Sequence, residues 1–152
     1  MAIDNDDVVS TLNNLIETCK DGQNGFQTAA DGVKNSELKT LFHTYSQQRA
    51  QFAGELQGEV RRLGGDPEQT GSVAATLHRG WIDIKSAVTG EDENAVISEC
   101  ERGEDSAVSN YKDALNANLP ADVRSIVERQ YTHIKEAHDR IRALERATGA
   151  GA

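Results

Sequence analysis

Cysteine, proline and aromatic residues are scarce in this chain, and positive charge is in deficit. Its 152 residues include two cysteines, two prolines, one tryptophan and 5% aromatics. Two cysteines cannot build a disulfide framework, which excludes the stapled class of small secreted domains. No run of roughly 18 apolar residues is present to span a bilayer. Lysine and arginine total 16 against 25 aspartates and glutamates, for a formal net charge of −9. That surplus repels phosphate backbones and anionic membrane surfaces, and no basic stripe interleaved with aromatics offsets it. Nucleic acid and membrane are therefore excluded as partners. A phosphate-binding glycine loop, a nucleophile elbow and zinc-ligand spacing are all missing, as is any period-two alternation long enough for a strand. The start, Met1 to Asp7, is acidic where a signal peptide is basic and then apolar. The expected location is the cytoplasm.

What the chain does contain is an internal repeat. Shifting it so that Cys19 falls on Cys100 superimposes Ile16 on Ile97, Gly22 on Gly103 and Leu38 on Leu119. The same shift places Glu55 on Glu136, Arg61 on Arg142 and Leu63 on Leu144, so residues 16–64 and 97–145 align as two helical hairpins. Apolar positions keep helical phase in both copies, with a turn at the same place in each. Two hairpins joined by a long connection predict an all-α, ferritin-like four-helix bundle with one crossover. Residues 1–147 form a single domain in this reading, and residues 148–152 a flexible tail rich in glycine and alanine.

Helix boundaries follow from stop and cap residues. The first helix is expected from about Asn5 to Val33, with the stripe Val8, Leu12, Leu15, Ile16, Cys19, Phe26, Ala29, Ala30 and Val33. Asn35 and Ser36 turn the chain into a second helix carrying Leu38 to Leu63, which ends at Gly64-Gly65. Val73, Leu77, Trp81, Ile84 and Val88 predict a crossover helix over residues 72–89, long enough at roughly 27 Å to return most of the bundle's length. Within it, Trp81 is expected to plug the crossover onto the bundle. Asp92 caps the third long helix, and Pro120 is expected at the first position of the fourth. Cys19 and Cys100 come out roughly 10 Å apart, too far to bridge, and are read as buried small hydrophobes.

Polar residues that interrupt the apolar stripes mark one layer. Glu104 lies between Cys100 and Ala107, and Gln130 between Val127 and Ile134, with His133 at the edge of that face. The repeat maps Glu104 onto Gln23 and Gln130 onto Arg49, and all of these lie at a similar height above their turns. A di-metal centre in such a bundle uses a Glu from each of two helices and Glu-x-x-His from each of the other two. Here the corresponding residues are Gln23, Glu104, the pair Gln48 and Gln51, and Gln130-x-x-His133, with Arg49 adding a positive charge. Only Glu104 and His133 keep the required type. The expectation is a layer in which hydrogen bonds replace metals, Glu104 pairing with Arg49, so no cofactor is called for. A metal held by Glu104, His133 and a nearby carboxylate such as Glu101 or Glu59 is the competing reading. Glu17 is expected on a solvated face. The run Glu99 to Asp105, apart from Glu104, is read as exposed, and His133 and His138 as hydrogen-bonded edge residues.

Four blocks carry a family resemblance: Leu15 to Gly22, Arg49 to Leu56, Gly71-Ser72 with His78-Arg79-Gly80-Trp81, and Glu99 to Asp105. In order and spacing they resemble a bacterial family of small ferritin-like four-helix-bundle proteins of unknown function. The resemblance runs from about Val8 to Leu144. It implies the fold, a bacterial cytoplasmic setting and a stress-related role, and it supplies no reaction or ligand. The leading functional expectation is a non-enzymatic structural or interaction protein that associates with copies of itself. The alternative is a di-iron-type oxidase or iron-storage protein, and a third reading is a thiol sensor.

Overall fold

The computed structural model describes residues 4–67 and 81–147. Within them lie five helices: α1 (Asn5–Gly32), α2 (Ser36–Arg62), α3 (Ile84–Thr89), α4 (Glu93–Leu115) and α5 (Ala121–Ala147). No strand occurs among the described residues. The four long helices form the bundle, and the sequence boundaries hold to within a residue or two. Capping explains the agreement. Asp4 accepts from the amide of Asp7 at the start of α1, Asn35 takes the amides of Glu37 and Leu38 at α2, and Asp92 takes that of Ala95 at α4. Gly64 closes α2 with φ of 82°, a left-handed conformation that glycine enters freely. Pro120 stands one residue ahead of its expected place, its carbonyl accepting from Arg124 just before α5 begins.

Two apolar clusters fill the bundle. Val8, Leu12, Leu56, Val60, Leu119, Val123 and Val127 belong to the cluster at the end where α4 turns into α5. Phe26, Val33, Leu38, Phe42, Trp81, Val96, Ile97 and Ile141 belong to the one at the α1–α2 turn. This sharing of ends makes α1 parallel to α5 and α2 parallel to α4, the arrangement a single crossover produces. Helix α1 packs against α2, α4 and α3, so it is covered from several directions.

The described part of the crossover includes the helix Ile84–Thr89. Residues 72–80 of the expected helix lie outside the described residues, as does the expected tail over 148–152. Trp81 nonetheless occupies the place expected of it, 8% exposed, with its ring 5.0 Å from that of Phe26. Glycines make this possible. A Cβ on Gly25 or on Gly103 would fall 2.2 Å from the indole, so α1 and α4 each give up a side chain to admit it.

Candidate functional site

Arg49 and Glu104 lie between the two apolar clusters and are 1% and 0% exposed. Arg49 on α2 reaches across the bundle to α4, where Nη1 lies 2.5 Å from Glu104 Oε1 and Nη2 lies 2.7 Å from Oε2. Two parallel charge-assisted bonds satisfy both carboxylate oxygens. Gln48 Oε1 accepts from Arg49 Nε at 3.3 Å, and the guanidinium carbon lies 5.4 Å from the centre of the Phe26 ring. Burial works against the charged guanidinium, but the Glu104 carboxylate outweighs it and holds Arg49 above its ordinary value. The long side chain fits because Gly22 faces it: a Cβ there would sit 3.3 Å from Arg49 Cγ and Nη1.

A second network adjoins this pair. Tyr111 donates to Gln130 Oε1 at 2.7 Å, and Gln130 Nε2 donates to Glu55 Oε1 at 2.9 Å and to the carbonyl of Phe52 at 3.3 Å. Arg129 holds both oxygens of Glu55 at 2.9 Å. Because the Tyr111 proton is committed to Gln130, Cys19, whose sulfur lies 3.1 Å away, donates to the tyrosine oxygen. Burial pushes the Cys19 thiol up to about 11 and raises Cys100 well above its ordinary range. Neither is the low-pKa, accessible thiol that redox sensing requires, and both are unbridged.

The structure brings together part of the sequence-derived layer. Arg49, Glu104 and Gln130 are buried at its centre, and Gln48 is half-buried beside Arg49. Gln23 is half-buried, and its backbone carbonyl accepts from Ser46. Gln51 and His133 do not belong to the layer: both are exposed, with His133 lying against the ring of Phe52 at 6.1 Å. Helical rotation is the reason. Gln51 lies about 200° around the helix from Arg49, and His133 about 60° from Gln130, enough to carry each outside the bundle. Two expectations of exposure are also corrected. Glu17 and Glu99 are 8% and 6% exposed, because α1 and α4 are each covered by more neighbours than one stripe implies. Sequence reasoning missed Glu55, Tyr111 and Cys19 as members of the network. A tyrosine and a cysteine on an apolar stripe look the same as any other core residue until their partners are known.

The residues of the layer do not fit a di-metal centre. Two divalent ions would need about four carboxylates around them. Both oxygens of Glu104 are held by a guanidinium, Glu55 is held by Arg129, and the one histidine of the expected set faces solvent.

Outside this layer, Glu101 and Asp105 on α4 and His138 on α5 form a separate group whose ligand atoms all lie within 4.8 Å of one another. A hydrogen bond with Glu145, together with burial, raises the Glu101 carboxyl to about 7. His138 is a hydrogen-bonded residue as expected, though buried rather than at an edge.

A family model described as a domain of unknown function (DUF2383) matches residues 7–117. Among solved structures, the chain is similar to the crystal structure of a two-domain protein from Anabaena variabilis containing DJ-1/ThiJ/PfpI-like and ferritin-like domains. The TM-score is 0.78 at 18% identity, covering 97% of this chain and 41% of that one. At that identity the likeness shows the fold alone, an all-α ferritin-like bundle, and the chain spans less than half the length of that protein. No curated protein matches.

Proposed function

The chain belongs to the DUF2383 family, and we propose that it is a non-enzymatic ferritin-like bundle whose metal layer has become a structural polar layer. One observation carries the reading: the Arg49 guanidinium sits bidentate on Glu104 at the bundle's centre, both fully buried. A positive group occupies the height where a di-metal protein of this fold concentrates negative charge. Such a layer tends to specify a register, since Arg49 and Glu104 can meet only when α2 and α4 are correctly aligned. The protein then acts through its outer surface, associating with copies of itself or with other proteins. Exposed Ile82, beside the buried Trp81, is the large apolar group offered there among the described residues. The setting is a bacterial cytoplasm and the role stress-related, as in the small ferritin-like families this chain resembles.

Elemental analysis of protein purified without chelators, alongside a Glu104→Gln variant, tests the reading. The expected result is no iron or manganese that depends on Glu104. Two ions per chain in the wild type, lost in Glu104→Gln, would reject it in favour of a di-iron-type oxidase or iron-storage protein. Sedimentation of the wild type and of Ile82→Asp tests association.

A further inference from the structure

We infer that Glu101, Asp105 and His138 form a binding site for one divalent first-row transition-metal ion on the outer seam between α4 and α5. Glu101 and Asp105 are four residues apart, so they project from the same face of α4 on successive turns. His138 meets them from α5 with its ring buried, 8% exposed, and Nε2 turned toward Asp105. One ligand atom from each residue lies within 4.8 Å of the others.

The histidine carries most of the argument. A neutral imidazole has one N–H and one lone pair. Asp139 Oδ1, itself held by Lys135 at 2.9 Å, lies 3.1 Å from Nδ1, and Asp105 Oδ1 lies 2.5 Å from Nε2. With the N–H on Nδ1, facing Asp139, the Nε2 lone pair is directed at Asp105 and can ligate an ion held between the two side chains. Orientation of a ligating imidazole by a carboxylate on its other nitrogen is the usual outer-shell device of metal sites. In this role Asp139 is a positioning residue.

Charge and size agree. Glu101, Asp105, Asp139 and Glu145 bring carboxylates to the seam. Glu101 exchanges its hydrogen bond with Glu145 for the ion, Arg142 Nε pairs with Glu101 at 3.6 Å, and Lys135 is engaged by Asp139. Ligand atoms around an ion with bonds of about 2.1 Å sit roughly 3.0–3.4 Å apart. Asp105 is exposed and free to withdraw slightly from His138, and the three ligand atoms already lie within 4.8 Å of one another. An imidazole with two carboxylates is a mixed nitrogen–oxygen set suited to manganese, iron or zinc, with positions left for water. The site is distinct from the central layer and uses none of its residues.

Calorimetric titration of the full chain with Zn2+ tests the assignment, with Co2+ absorption as a spectroscopic readout. The wild type is expected to bind one Zn2+ per chain and to give Co2+ bands of a nitrogen–oxygen site. His138→Ala should abolish this binding. Asp105→Asn changes an exposed residue and leaves the fold intact, so it covers the case in which His138→Ala does not fold, and it should weaken binding at least tenfold. Asp139→Asn should lower affinity roughly tenfold to a hundredfold and shift the Co2+ bands. Glu104→Gln and His133→Ala should bind as the wild type does, which keeps this site separable from any central one. Absence of saturable Zn2+ binding, or Asp105→Asn binding as tightly as the wild type, overturns the assignment.

Discussion

Replacing Glu104 with alanine tests the central layer most directly. The substitution removes both carboxylate acceptors of the Arg49 guanidinium, which is 1% exposed and keeps Gln48 Oε1 as its hydrogen-bond acceptor and the Phe26 ring as its neighbour among the described residues. Breaking a buried ion pair by removing one member costs about 3–5 kcal/mol, because the survivor is left charged in a low-dielectric interior. The space of the missing carboxymethyl group admits water to the guanidinium, which places the cost near the lower bound, roughly 3 kcal/mol. In a domain of this length each kcal/mol moves Tm by about 2–4 °C, so a fall of roughly 6–12 °C is expected. Thermal circular dichroism and urea titration measure it, and Trp81, the chain's one tryptophan, reports the same transition by fluorescence. The double variant Arg49→Met/Glu104→Leu is the control: with neither charge present it should recover most of the loss. A Tm for Glu104→Ala within about 2 °C of wild type would refute the reasoning, since it would mean that the guanidinium finds water as readily as a carboxylate. A double variant as unstable as the single one would also count against it, showing that packing rather than charge is at stake.

Two further outcomes follow from groups already described. Gly103→Ala places a methyl 2.2 Å from the Trp81 indole and should expel it, with a red-shifted fluorescence maximum and a loss of about 1–3 kcal/mol; an unchanged emission spectrum would contradict the packing. Cys19 is raised by burial from 9.0 to about 11, so between those values the folded chain keeps a proton that the unfolded chain has released. Stability linked to this thiol is therefore fully present below about pH 9 and is lost as pH rises toward 11, on the order of 2–3 kcal/mol in total. Urea midpoints at about pH 8 and about pH 10.5 should fall more for wild type than for Cys19→Ala, and an equal fall in both would contradict the assignment. Thiol titration of the native protein near neutrality should find both cysteines unreactive.

Much of this was legible in the sequence because the governing rules are local. Asn35 and Asp92 sit where caps belong, and the apolar spacing along the helices has one period. The Arg49–Glu104 pair was legible for the same reason. Each interrupts an apolar stripe, the two counts from the turns agree in height, and their charges are opposite. What escaped depends on how many neighbours a helix has. Glu17 lies opposite the stripe of Leu12 and Cys19 and ought to face water, yet α1 touches α2, α3 and α4 and buries a much wider arc. Glu99 is covered for a related reason on α4, beside the short crossover helix. The seam of Glu101, Asp105 and His138 needed the register of α4 against α5, which no single-helix periodicity contains.

The repeat explains why one bundle holds two such different polar arrangements. Under the shift that aligns the halves, Arg49 corresponds to Gln130 and Glu104 to Gln23. A symmetric layer with arginine in both second helices and glutamate in both first ones would put two cations and two anions into one core, and desolvation would exceed their mutual attraction. The asymmetric solution keeps one charged pair and makes the other half neutral, with Gln130 bonded to Tyr111 and Phe52 and anchored at the edge by Glu55. Glycine follows the same division. Gly22 and Gly103 occupy equivalent positions, yet one clears room for the Arg49 side chain and the other for Trp81. Each half thus keeps a gap at the same height and fills it with a different large group. Gln23→Glu with Gln130→Arg, which adds one further anion and cation to this layer, is therefore expected to lower Tm in thermal circular dichroism, and an unchanged or raised Tm would contradict the desolvation argument.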